Sequence, residues 1–268
     1  MNVSSPVEPP QTAKRRSQFP EVNTVSVNDL LDDLAAGLQD FRSAPAYGLF
    51  FGSIYAIGGW ILVLLLLHFE LPYLVYPLAT GFALIAPFIA SGFYVVSQYR
   101  ENGKALSWGI VFSSVKTMFS RDLGWMALVT GFSLFIWMDI AALLSFGFLG
   151  MQMFTFAELT DMIFNTPRGL LYLLIGNAAG ALIAFCVFSY SVISMPMLFE
   201  RNIDFVTAMI TSVRFVIHNR KTMALYCALI ATLIGLSLLS GFIGLIVTLP
   251  VLGHTTWHLY RRGVAPMQ

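Results

Sequence analysis

The amino-acid sequence predicts an all-α membrane protein of six transmembrane helices, built as three repeats of a cytoplasmic amphipathic helix plus a transmembrane hairpin, with both termini cytoplasmic. Uncharged runs are the first sign: 43–69, 71–99, 123–138 with 140–157, 169–199 and 222–260. A helix needs about 20 apolar residues to cross roughly 30 Å of hydrocarbon. Composition is the second: 57% of residues are hydrophobic, 11% are charged and the mean hydropathy is +0.75, whereas about a quarter of a soluble domain is charged. The third is where the positive charge lies. Lys14, Arg15, Arg16 and Arg42 precede the first span, Arg100, Lys104, Lys116 and Arg121 follow the second, Arg201, Arg214, Arg220 and Lys221 follow the fourth, and Arg261 and Arg262 end the last. Only Arg168 falls on the other side. Lys and Arg are retained on the cytoplasmic side, which sets the orientation.

Residues 1–25 hold Pro6, Pro9, Pro10 and Pro20 with few large apolar side chains, so a disordered cytoplasmic tail is expected. Arg15-Arg16 is too far from the first apolar run for an export signal, and there is no cleavable secretory peptide. A single membrane domain follows over 26–262, with a short tail at 263–268. Its first element is amphipathic. Val27, Leu30, Leu31, Leu34, Leu38 and Phe41 recur at helical spacing, Asp29, Asp32, Asp33 and Asp40 form the polar face, and Ser26 is placed as N-cap. Spans one and two are expected at 46–68 and 73–99, the second kinked at Pro87.

The same spacing returns in Trp108, Val111, Phe112 and Val115 before span three (123–148), and in Val206, Met209, Ile210 and Val213 before span five (221–239). Ser114-Val115-Lys116 parallels Ser212-Val213-Arg214, and Arg121-Asp122 parallels Asn219-Arg220. Three units of 26–99, 104–199 and 204–260 result. Thr155-x-x-Glu158 reads as the capping box of a short external helix containing Leu159, Met162 and Ile163, which Pro167 stops. Span four (169–198) carries Pro196, with Ser189, Ser191 and Ser194 near enough to answer the kink. One helix over 222–260 would be about 58 Å long at about 1.5 Å per residue, nearly twice the hydrocarbon thickness. A turn near Ser240-Gly241 divides it into spans five and six, the latter at 242–260. Gly176, Gly180, Gly241 and Gly244 read as close helix packing.

Few residues carry chemistry. Asp139 interrupts span three near its middle, where a carboxylate costs about 3 kcal/mol on insertion scales. It is the candidate substrate, proton or cation site together with Asn177, or a structural group hydrogen-bonded to Asn177, Ser189 or a backbone carbonyl. His254 and His258 lie one turn apart near the end of span six, beside Trp257 and Tyr260. They are candidate metal or haem ligands, or helix-end charges flanked by interfacial aromatics. His68 and His218 fall at membrane edges. Cys186 and Cys227 lie in apolar runs and read as small hydrophobes. The net charge of +1 argues against nucleic acid as a partner.

The Phe-Glu-Arg-Asn segment at 199–202 and Gly-His-Thr-Thr-Trp-His-Leu-Tyr-Arg-Arg at 253–262 give the chain a resemblance, over about 28–262, to a bacterial domain-of-unknown-function family of predicted integral membrane proteins. The resemblance implies a multi-pass protein of the bacterial inner membrane. Some family members carry an automatic label as cytochrome c oxidase subunit I, which these residues do not support: such a subunit has about twice the spans and six haem or copper histidines, against four histidines here. Mitochondrial carriers also have three units, but Glu200 and Arg201 follow Pro196 at the wrong spacing for their signature.

Two functions remain. One is a non-enzymatic accessory or scaffold protein whose partners are the bilayer and other membrane-protein subunits, respiratory complexes among them. The other is a small-solute or proton-coupled transporter with a midplane site at Asp139. A haem- or metal-binding protein using His254 and His258 ranks third. A lipid-acting enzyme ranks last, since no nucleophile, base and oxyanion set can be assembled, and no cofactor is expected.

Overall fold

The structure is a computed structural model that describes residues 19–68, 89–119, 123–150 and 156–265. These residues are helical apart from short connections and one isolated antiparallel bridge. Helix α1 (Val27–Ser43) opens on the expected cap: Ser26 Oγ accepts from the Asp29 amide while Asp29 accepts from the Ser26 amide. Pro45 disfavours helical geometry at Ala44, so α1 ends there and α2 (Pro45–Leu67) restarts with proline in its first turn. Helix α3 covers 89–101 of the expected second span; the rest of that span, including Pro87, lies outside the described residues. There follow α4 (Trp108–Phe119), α5 (Leu123–Leu149) and α6 (Phe156–Asn165). The chain continues through α7 (Pro167–Ser191), α8 (Ser194–Glu200), α9 (Phe205–His218), α10 (Arg220–Leu239) and α11 (Leu245–Gly263).

Four of the described segments are long and apolar enough to cross a membrane: Pro45–Leu65, Gly124–Leu149, Pro167–Glu200 and Arg220–Leu239. They correspond to expected spans one, three, four and five. The expected sixth, α11, is not among them, because its second half carries His254, His258, Arg261 and Arg262. It nonetheless runs back beside α10, with Ser237 Oγ 2.9 Å from Thr248 Oγ1 and Tyr226 OH 2.9 Å from Thr256 Oγ1. The turn between them falls where Ser240-Gly241 places it. Phe242 N–H donates to Ser237 O and Gly241 N–H to Leu238 O, the double bond of a helix end that requires a left-handed residue, and Gly241 has φ +68°.

The proline in span four breaks the helix as expected, between α7 and α8. Ser194 Oγ donates to Tyr190 O, and a residue from another helix completes the repair: Ser212 Oγ accepts from the Ile193 amide and donates to Ser189 O.

Three expectations are corrected. The tail expected over 1–25 is fixed from residue 19, and the C-terminal tail expected from 263 is fixed through Ala265. Val22 forms an antiparallel bridge with Val264; Asn23 N–H donates to Gly263 O at 2.9 Å and Ala265 N–H to Glu21 O at 3.1 Å. The Asn219 side chain receives Val25 N–H at 2.7 Å and donates to Asn23 O at 2.9 Å, so the extended backbone has its partners. Residues 1–18 and 266–268 lie outside the described set.

The second correction concerns the polar face of α1, whose Asp33 and Asp40 are buried beside Leu30 and Gly37 while Leu31 is exposed. Helix α9 likewise buries Thr211 and Ser212 beside Ala208, Phe215 and Val216 while Val206 and Ile210 are exposed. In a bilayer, small and polar residues pack inward and apolar ones need no protein cover. The third is that Gly176 packs nothing within 4 Å, and Gly241 serves the turn. The close approaches lie elsewhere. A Cβ on Gly37 would sit 2.9 Å from Val251 O, and one on Gly52 2.7 Å from Ile246 O, so α1 and α2 both rest directly on the α11 backbone.

Candidate functional site

The last turns of α11 are gripped from three sides by charged side chains that the sequence spreads from residue 29 to 262. Helix α1 supplies carboxylates one and two turns apart on its buried face. Arg262 Nη1 donates to Asp29 at 3.0 Å and its Nε to Asp33 at 3.0 Å. Asp40, nearly two turns further on, accepts from His258 Nε2 at 2.8 Å and Arg100 Nε at 2.8 Å. Helix α3 adds Ser97, whose Oγ lies 2.8 Å from His254 Nδ1, and Glu101, which accepts from Arg261 at 2.9 Å and from Trp257 Nε1 at 3.2 Å. Helix α8 adds Glu200, which accepts from Arg261 at 2.7 Å and from the Tyr260 hydroxyl. It is followed by Arg201, which donates to Ala265 O at 3.0 Å and lies over the Tyr260 ring.

Aromatic packing surrounds this clasp. Trp257 stacks on Tyr94 and meets Phe199 edge-on, and Phe93 meets His254 edge-on. The buried core of the described residues is concentrated here, with Met197, Phe215, Met223 and Tyr226 beneath.

The carboxylates feel different fields. Burial pushes Asp40 up, but hydrogen bonds from His258, Ser97 and Arg100 outweigh it and bring its pKa down to about 2. For Asp33 burial wins and its pKa is raised, despite the Arg262 contact, because only one oxygen is served: Oδ2 is buried without a partner. Asp29 is held low by its hydrogen bonds with Ser26, with Arg262 adding to them. Chemically the clasp holds charge in fixed positions. Its carboxylates accept from Arg, His, Trp and Tyr donors rather than facing an open cavity.

The candidate residues from the sequence are not brought together. His254 and His258 engage different partners, Ser97 and Asp40, and His254 Nε2 is buried without a partner. Among the described residues no three His, Cys, Asp or Glu side chains converge as a metal site. Asp139 is exposed on α5 and has no hydrogen-bond or ion-pair partner among the described residues. Asn177 is exposed on α7 and donates to Leu173 O at 2.7 Å. It edges a shallow groove of about 180 Å³ with Trp137, Ala141, Leu144 and Tyr172. A second groove along the same seam, of about 550 Å³, is lined by Ser133, Leu134, Gly180 and Ile183 among others. Asp139 lines neither. His218 Nε2 is 2.9 Å from Thr24 Oγ1, tying α9 to the N-terminal segment.

The clasp was present in the sequence only as scattered charges. Arg100, Arg261 and Arg262 were legible as orientation signals, and Asp33 and Asp40 as a polar face. The signal that pairs them is the near balance of acids on α1 against bases at the end of α11.

Comparison with known proteins adds a class. No curated protein and no solved structure matches the chain. Residues 75–200 match a family model described as a predicted integral membrane protein, narrower than the 28–262 expected, so the match takes in α3 to α8 and leaves α1 and α11 outside. Over 75–200 the chain is therefore similar to DUF2189, a family of predicted integral membrane proteins of unknown function.

Proposed function

We propose that this protein is a non-enzymatic membrane scaffold, an accessory subunit that holds its own ends together and offers a helical surface to a neighbour in the bilayer. The observation that carries the reading is the contrast between its two parts. At the clasp nearly every charged group is engaged by another residue of the same chain. The α5–α7 hairpin is the reverse: the most apolar eighteen-residue stretch of Pro167–Glu200 buries no residue, and that of α5 buries 11%. Such a surface is suited to lipid or to another protein.

The arrangement in the membrane is part of the proposal. The Val22–Val264 bridge supports an even number of crossings between the two ends. Six crossings satisfy this, with α11 returning beside α10. The Lys and Arg bias puts both ends in the cytoplasm of a bacterial inner membrane. Transport through Asp139 has less support, since the two α5–α7 grooves are lined by other residues.

Purification in mild detergent tests the reading. Respiratory or other membrane subunits co-purifying in fixed ratio, with a colourless and metal-free protein, are the expected result. A stoichiometric chromophore or metal lost in His254→Ala/His258→Ala would overturn it. So would solute flux in proteoliposomes that disappears in Asp139→Asn.

A further inference from the structure

Deepening the scaffold reading, on which it rests, we infer that the hairpin's neighbour is a second copy of this chain, joined by Asp139 of one copy to Asn177 of the other.

Asp139 is not an isolated oddity on its helix. The exposed residues Phe132, Ile136, Asp139, Leu143 and Phe146 follow one another at alternating spacings of four and three. That is the seam along which one helix receives another, with a single polar residue at its centre. Helix α7 carries a second seam of the same kind: Leu170, Leu174, Asn177, Ala181 and Ala184 are all exposed at the same alternation. Its central residue is again the polar one.

The two polar residues lie at the same depth. Ser145 Oγ hydrogen-bonds Tyr172 OH at 3.0 Å, and Trp137 reaches within 3.0 Å of where a Cβ on Gly180 would be. In an antiparallel pair with that register Asp139 is level with Ala178, one residue from Asn177. They do not meet within one copy, because α5 turns Trp137 and Ala141 toward α7 and points Asp139 the opposite way. A second copy has the same topology and therefore brings its seams to the same level.

The chemistry is complementary. A carboxylate only accepts; the Asn177 amide has one N–H engaged by Leu173 O and another to give. In hydrocarbon each group needs such a partner, because lipid supplies none. The shapes agree as well. In this register Phe132 and Ile136 come level with Ala184 and Ala181, large against small, and Gly176 leaves the space beside Asn177 open, with nothing within 4 Å.

The test mixes two tagged proteins in one membrane, Asp139→Cys and Asn177→Cys, each with Cys186→Ala and Cys227→Ala. Oxidation is expected to give a cross-linked pair, and Asp139→Cys with Leu182→Cys to give none. Single-molecule photobleaching in a bilayer supplies the second measurement. The otherwise native protein is expected to show two-step bleaching, Asp139→Leu to dimerise about 3- to 20-fold more weakly, the range of interhelical hydrogen bonds in membranes, and Asp139→Asn to hold the dimer. A wild-type protein that is monomeric at every density overturns the inference, as does a dimer without the 139–177 cross-link, or a cross-link to some other protein. These outcomes are independent of the purification result: a solute-transporting dimer would sink the scaffold reading alone, and a monomer bound to foreign subunits would sink only this one.

Discussion

Asp33 and Asp40 sit seven residues apart on one buried face of α1 and respond to it in opposite directions. The difference is the number of donors. Asp40 has His258, Arg100 and Ser97, so its folded pKa of about 2 lies below the ordinary value near 3.9. A depressed carboxylate stabilises the fold above the unfolded pKa, and that contribution is lost as pH falls from about 4 to about 2, amounting to roughly 2 kcal/mol. Acid titration followed by Trp257 fluorescence is expected to show the α1–α11 contact loosening in that window, and Asp40→Asn to remove the transition. Asp33, with its pKa raised, works the other way: its charge is a liability whenever it is ionised. Asp33→Asn is therefore expected to leave the melting temperature unchanged or raise it. Arg262→Ala, which strands the buried carboxylate, should lower stability by about 1–3 kcal/mol. A thermal shift assay on the two variants checks the ordering. From sequence both aspartates were legible as a polar face, but not as buried. Arg262 and His258 lie more than 200 residues away from them and Arg100 lies 60 from Asp40, and spacing on one helix says nothing of what that helix meets.

Helices were readable where local chemistry ends or bends them. Ser26 and Asp29 start α1, Pro45 starts α2, Pro196 breaks α7 from α8, and Ser240-Gly241 turns α10 into α11. Faces were less readable. An apolar stripe does not mark the whole side that packs: α1 buries Asp33, Gly37 and Asp40 beside Leu30, and α9 buries Thr211 and Ser212 beside Phe215 and Val216. Gly37 is the clearest instance, since it lets α1 lie against the α11 backbone at Val251. Gly37→Leu is expected to push the two helices apart and cost about 2 kcal/mol or more, against a near-neutral Ala35→Leu at an exposed position of the same helix. Limited proteolysis within residues 19–26 reads the separation directly, because those residues lose their anchor when α1 lifts.

At the scale of the whole molecule, the described core gathers at the clasped end, while the α5–α7 hairpin stands with little protein around it. Paired ends and an even number of crossings predict one outcome in topology mapping. Reporters fused before Met1 and after Gln268 are expected to be active on the same, cytoplasmic side, and opposite signals from the two would require an odd count. The basic residues alone lead to the expectation of an even parity; the direct pairing of the ends was not legible, because it depends on the Asn219 side chain bridging from α9 to residues 23 and 25.

The Val22–Val264 bridge also has a consequence in time. Among the described helices a ribosome releases α1 first and α11 last, so Asp29, Asp33 and Asp40 wait without Arg262, His258 or the bridge that will seat them until α11 has been made. The clasp closes only once α11 has been made. A nascent protein stopped short of Arg261 would leave the acidic helix α1 unfastened, and one that includes α11 covers it.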